Sequence, residues 1–219
     1  AAISAFIIWG FFSIPLRAVQ EFTAGEILYF RILFSVIGLL AIILVFKRRE
    51  LGLNWQRLIQ MPRDQKRTAV LLTLAGGALL GVNWLTFIYI VNDINIKTAS
   101  FSYLICPVIT AMLGYFLLHE KLVGIQWISV GLCAISCLLI GLSSALELWY
   151  SFLTALTYAL YLISQRKNQG FDRIITLGIQ VIFCFLLLSF LYGYLVHKVP
   201  ASAHFYGIVV IIAIFFTIL

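Results

Sequence analysis

Residues 81–120 read GVNWLTFIYIVNDINIKTASFSYLICPVITAMLGYFLLHE, two apolar runs on either side of a short polar turn at 92–97. Traced back to Thr68, the first run is as long as the second, and each is long enough to cross a bilayer core as a helix of about 20 residues. Neither run shows the polar–apolar alternation of a membrane barrel strand. Only helices and closed barrels satisfy their backbone in lipid, so the stretch reads as a transmembrane helical hairpin. Its first arm keeps Asn83 beside Trp84, with Tyr89 further on. Its second has Pro107 near the middle and stops at His119-Glu120-Lys121. In apolar surroundings an asparagine and a proline kink need a neighbouring helix or a cavity to use them.

The rest of the chain has the same character. Of 219 residues, 63% are hydrophobic and 11% charged, against about 25% charged in a soluble domain. Mean hydropathy is +1.08. The expected class is an all-α integral membrane bundle with about eight spans, at 1–19, 24–46, 68–91, 98–118, 123–142, 145–164, 173–196 and from 203 onward. Short connections predict that consecutive spans pack antiparallel. The chain opens on Ala1 inside an apolar run and stops inside another at 208–219, so it reads as a fragment cut at both ends.

Charge sets the expected orientation. The net charge of +7 does not signal nucleic acid, because the basic residues sit in short loops between apolar runs. The 47–67 loop holds Lys47, Arg48, Arg49, Arg57, Arg63, Lys66 and Arg67 against Glu50 and Asp64. By the positive-inside rule it faces the cytoplasm of a cell whose inner (plasma) membrane holds the chain. Trp55, Leu58, Ile59 and Met61 interrupt its charges, so part of it is expected to lie along the membrane surface.

Several function classes lack their residues. Cys106, Cys133, Cys137 and Cys184 lie within apolar runs with no metal-ligand spacing to His119, His197 or His204. No phosphate-binding loop occurs, and no nucleophile–base or HExxH set sits at matching depth. Neither a cofactor nor a metal is called for, and enzyme activity is not expected. The expected partners are a small-molecule substrate and the lipid bilayer, with oligomeric state left open. There is also an internal echo: Trp9-Gly10 and Arg17 match Tyr158-Ala159 and Arg166, with the arginine eight residues after the aromatic in both. The two helices run in opposite directions, as in the inverted repeats of secondary transporters.

The sequence resembles a known family. Ile8-Trp9-Gly10, Leu16-Arg17, Gly25-Glu26-Ile27-Leu28, Arg31, Gly81-Val82-Asn83-Trp84-Leu85, Phe87 and Val91-Asn92 are similar to the RarD-type proteins. These belong to the EamA family of the drug/metabolite transporter superfamily. Tyr103, Pro107, Leu113-Gly114, Leu117, Glu120-Lys121-Leu122 and Gln126-Trp127-Ile128 resemble the general EamA signature. The resemblance implies a ten-helix carrier of two inverted five-helix repeats around a central cavity. Residues 1–142 would be the first repeat and 143–219 part of the second. It also implies a secondary active transporter exporting a small metabolite or drug-like solute by alternating access. A channel, a non-transporting assembly subunit or an intramembrane enzyme is the alternative.

The substrate-binding candidates are Arg31, Asn83, Trp84, Trp9, Tyr89 and Tyr103. A charge inside hydrocarbon costs at least about 2.5–3.5 kcal/mol, so Arg31 should face the bundle interior and have a partner. Either it binds an anionic group of substrate or a releasable carboxylate, or it ties to carbonyls or Glu26, or it snorkels outward. Asn83 either binds substrate or clamps its helix to a neighbour across the Gly77/Gly81 face. Trp9, Tyr89 and Tyr103 offer rings and hydroxyls to a cavity wall, or simply pack. Glu26 suits the positive end of its helix. Glu120 ends its helix at the unfavourable pole, so Lys121 or the 47–67 loop is expected to neutralise it.

Overall fold

The structure, a computed structural model, describes residues 11–218. Trp9 and most of the first expected span lie outside them. The helices are α1 (Ser13–Arg17), α2 (Ala24–Phe46), α3 (Arg48–Gln60), α4 (Arg63–Tyr89), α5 (Ile96–Leu118), α6 (Gly124–Ser143), α7 (Ala145–Lys167), α8 (Arg173–Phe190), α9 (Tyr192–Leu195) and α10 (Ala203–Ala213). Ile90–Ile94 and Ile214–Ile218 are π-helical extensions of α4 and α10. No strand occurs among the described residues. Five helices there are long and apolar enough to cross a membrane: Ala24–Phe46, Arg63–Ile94, Ile96–Leu118, Ala145–Lys167 and Arg173–Phe190. The expected all-α membrane bundle is observed.

Local chemistry starts most of these helices, although Pro62 before α4 offers no side-chain cap. Thr23 and Glu26 form a capping box at the head of α2, satisfying two orphan amides reciprocally. Side chains of Asn95, Ser144, Asp172 and Ser202 cap α5, α7, α8 and α10. Such caps matter more than usual here, because a helix end near lipid has little water to turn to.

The connections separate into two sets. At one end Asn92 Nδ2 donates to Phe22 O (3.4 Å), Thr98 Oγ1 donates to Glu147 (2.8 Å) and the Lys198 amide donates to Glu26 (3.2 Å). At the other end Lys47 meets Asp172 (2.9 Å) and Arg166 meets Glu120 (2.8 Å). The chain therefore alternates direction as the loop pattern requires.

Three expectations are corrected. The two arms of the 81–120 hairpin do not take each other as principal partners; α7 packs most heavily against both α4 and α5. It enters between them because α5 and α7 share small polar faces. Ser151 Oγ donates to Thr98 O (3.2 Å) and Ser102 is fully buried. The 47–67 stretch is not a loop: Arg48–Gln60 is a helix and α4 already starts at Arg63. Finally, the turn expected at 92–97 stays helical through Ile94 and breaks only at Asn95, whose backbone is extended.

Glycines set the α4–α8 spacing. A Cβ on Gly77 would sit 2.7 Å from the Gln180 carbonyl oxygen, and one on Gly81 2.6 Å from Cys184 Sγ. The small-residue face thus lets α4 and α8 touch backbone to backbone at Gly77 and backbone to side chain at Gly81.

Candidate functional site

A cavity of about 780 Å³ runs along α5. Ile96, Ala99, Ser100, Tyr103, Cys106, Pro107, Thr110 and Ala111 line it. Their spacing of three and four residues means that one face of α5 borders it along much of the helix. Phe87 and Val91 of α4 and Tyr158 and Leu162 of α7 complete the wall. Pro107 lies inside α5, where its missing amide leaves a carbonyl one turn back without its helical donor. At one end Arg166 Nη1 donates to both carboxylate oxygens of Glu120 at 2.8 Å. His119 turns into the left-handed region (φ 54°) and returns the chain so that the Glu120 amide donates to Gly114 O at 3.2 Å. A Cβ at Gly114 would stand 2.8 Å from the Glu120 carboxylate, so a larger residue there would make the carboxylate shift. The partner of Glu120 is thus Arg166, not Lys121 or the 47–67 segment as the charge pattern suggested.

Arg31 lies one ring behind the cavity wall. It is fully buried, about 10 Å along α2 from Ala24 at 1.5 Å per residue. Its guanidinium is 4.4 Å from the Trp84 ring centroid and 5.0 Å from that of Phe12. Phe12 stacks on Phe87 (5.5 Å), and Phe87 meets Tyr103 edge-on (5.0 Å), so rings link Arg31 to the cavity. Nε and Nη2 donate to Thr217 Oγ1 at 3.2 Å, and Nη2 also to Phe216 O at 3.3 Å. No carboxylate pairs with it among the described residues. Glu26 is instead occupied by its capping box and the Lys198 amide. Nη1 has no hydrogen-bond partner among the described residues. Cation–π contacts and hydrogen bonds offset the desolvation of the charge.

The other candidates divide. Trp84 is buried under Arg31, and Tyr103 lines the cavity. Asn83 is fully buried and points elsewhere: Nδ2 donates to Thr154 O at 2.8 Å and to Thr157 Oγ1 at 3.4 Å. It clamps α4 to α7, on a different side from the Gly77/Gly81 contact with α8. Tyr89 packs on Tyr150 (5.5 Å), partly exposed and outside the cavity lining. Trp9 lies outside the described residues. Sequence reasoning missed Ser100, Thr110 and Tyr158, although the three-and-four spacing of small and hydroxyl residues along 96–111 carried a signal. Thr217 had none, because it meets Arg31 from 186 positions away. Among the described residues no cluster could hold a metal ion.

A bundle of apolar helices around a polar-edged cavity, with a buried charge beside it, defines a multi-pass α-helical membrane protein. The chain belongs to the EamA-like transporter family, whose model matches residues 1–142. It is 31% identical to an uncharacterized transporter of Pseudomonas aeruginosa over 169 residues, 75% of this chain and 53% of the relative. It is 27% identical to the uncharacterized transporter YojE of Bacillus subtilis over 202 residues, 91% and 65% of the two chains. It is 30% identical to the protein RarD of Escherichia coli over 129 residues, 59% and 41%. These relatives bear out the RarD-type resemblance. The chain spans about half the length of the curated relatives it matches. No solved structure matches it.

Proposed function

We propose that this chain forms part of a secondary active carrier that moves a small metabolite or drug-like solute outward by alternating access. The observation that carries the reading is the cavity along α5, about 780 Å³ in volume, within the range of small-molecule sites, about 300–1,000 Å³. Hydroxyls of Ser100, Tyr103, Thr110 and Tyr158 give it polar points among apolar walls. Arg31, behind Phe87 and Phe12 with one donor that has no partner among the described residues, favours a solute bearing an anionic group. Rearrangement of the ring layer would bring that donor to the cavity. In this reading Trp84 belongs to the aromatic surround, Tyr103 touches solute, and Asn83 and Tyr89 serve packing. The Lys47–Asp172 end faces the cytoplasm of an inner (plasma) membrane, by the basic residues of 47–67.

The test is flux. A metabolite screen of cells overproducing the full-length protein selects candidate solutes, and proteoliposomes then measure their movement with and without a proton gradient. Gradient-dependent accumulation supports a carrier. Passive, non-saturating flow would assign a channel instead, and the absence of any flux would leave an assembly subunit.

A further inference from the structure

We propose that a cleft beneath α3 binds one anionic phospholipid, its acyl chain between α4 and α8 and its phosphate on unpaired basic side chains. The cleft, about 180 Å³, is lined by Trp55 and Leu58 of α3, Val70 and Leu74 of α4, and Ile175 and Ile179 of α8. It exists because α3 is held by polar ties instead of packing. Asn54 Oδ1 accepts from the Asp172 amide at 3.3 Å, and Arg57 donates to the Gly170 carbonyl. No residue of α3 is buried. Trp55 remains 64% exposed, and Leu53 and Ile59 are exposed as well. An amphipathic helix of this kind lies in the membrane interface with its apolar face toward acyl chains.

Charge decides the occupant. Lys66 and Arg67 stand one turn before Val70 on α4, and Arg48 stands one turn before Leu51, another cleft residue. Residues three and four apart share a helix face, so these cations sit at the cleft mouth. All three are exposed, and none forms an ion pair among the described residues. The cleft runs from them along α4 to Leu74, roughly 12 Å from Lys66 at 1.5 Å per residue. Headgroup-level cations continuous with an apolar slot of that depth match an anionic lipid. They do not match a zwitterionic one, whose choline would meet the same cations. The inference is independent of the transport reading and requires no solute.

The experiment is native mass spectrometry of the full-length protein in detergent, with phosphatidylglycerol and phosphatidylcholine of matched acyl chains in competition. The expected result is one phosphatidylglycerol retained per chain in preference to phosphatidylcholine. Replacing Lys66→Gln and Arg67→Gln should weaken retention by roughly fivefold per charge, the factor for one basic group near an anionic surface. Val70→Trp, which fills the slot, should abolish it with all charges intact; Thr73→Leu serves if that variant does not elute as a folded species. Lys97→Gln with Lys198→Gln, at the opposite end, should change nothing. Equal retention of the two lipids, or phosphatidylglycerol binding that survives either cleft filling or charge removal, would overturn the proposal.

Discussion

Arg31 and Thr217 meet across 186 positions of sequence, with both Nε and Nη2 of the guanidinium donating to one hydroxyl oxygen at 3.2 Å. The contact ties α2 to the π-helical end of α10 and holds a full charge between the Trp84 and Phe12 rings. The arginine thus has a structural anchor and one donor without a hydrogen-bond partner among the described residues. The two roles separate by mutation. Thr217→Val should lower stability by about 1–2 kcal/mol, the range for a bond to a charged group reduced for a membrane interior, and leave transport largely intact. Arg31→Lys retains charge but loses the planar fork and the stacking; transport should fall at least tenfold in protein that still elutes as a single species. Normal flux by well-folded Arg31→Lys would remove Arg31 from the solute path.

Asn83→Leu should cost about 1–2 kcal/mol through loss of the α4–α7 clamp, read as a lower Tm. The apparent solute affinity should be unchanged, because Asn83 is turned away from the cavity. A large rise in KM at unchanged Tm would return Asn83 to the site.

The Glu120–Arg166 pair is about half exposed on both sides. Such pairs contribute only about 0–1 kcal/mol, so Glu120→Gln should shift Tm little. If the pair closes one end of the cavity, the same change should alter flux severalfold, and the exchange Glu120→Arg with Arg166→Glu should restore part of it. Flux indifferent to both would make the pair a surface contact only.

Gly77→Ala places a methyl against the Gln180 carbonyl. Overpacking of this sort costs about 1–3 kcal/mol, and the damage should be visible as a lower Tm. Gly52→Ala, where a Cβ meets nothing within 4 Å, should be neutral or slightly stabilising.

Lys47 and Asp172 couple stability to pH. The hydrogen bond to Asp172 holds the Lys47 ammonium above its ordinary 10.5. Partial burial alone would raise the Asp172 carboxyl, but the Lys47 bond and the Ile175 and Ile174 amides outweigh it and hold it below 3.8. The contribution from Asp172 is therefore present at neutrality and lost as pH falls through its depressed value. That from Lys47 is lost only as pH rises through its raised one. Asp172→Asn preserves the helix cap and removes the charge. Its Tm should fall less steeply than wild type between neutrality and about pH 3.

Much of this protein was legible in its residues. Composition, run length and the lack of alternation determined an all-α membrane bundle, because in lipid the backbone admits few solutions. The small-residue spacing of Gly77 and Gly81 and the basic 47–67 segment could also be read directly. The helix hidden in 48–60 was blurred because its apolar face is narrow and interrupted by charge. Only the tertiary structure decided the rest. It put α7 between the arms of the 81–120 hairpin, gave Arg31 to Thr217, joined Glu120 to Arg166 and turned Asn83 away from the cavity. In a chain apolar on every side, hydrophobic periodicity does not say which helix faces which. Those choices rest on close packing and on where buried polar groups find partners, and both depend on residues far apart in sequence.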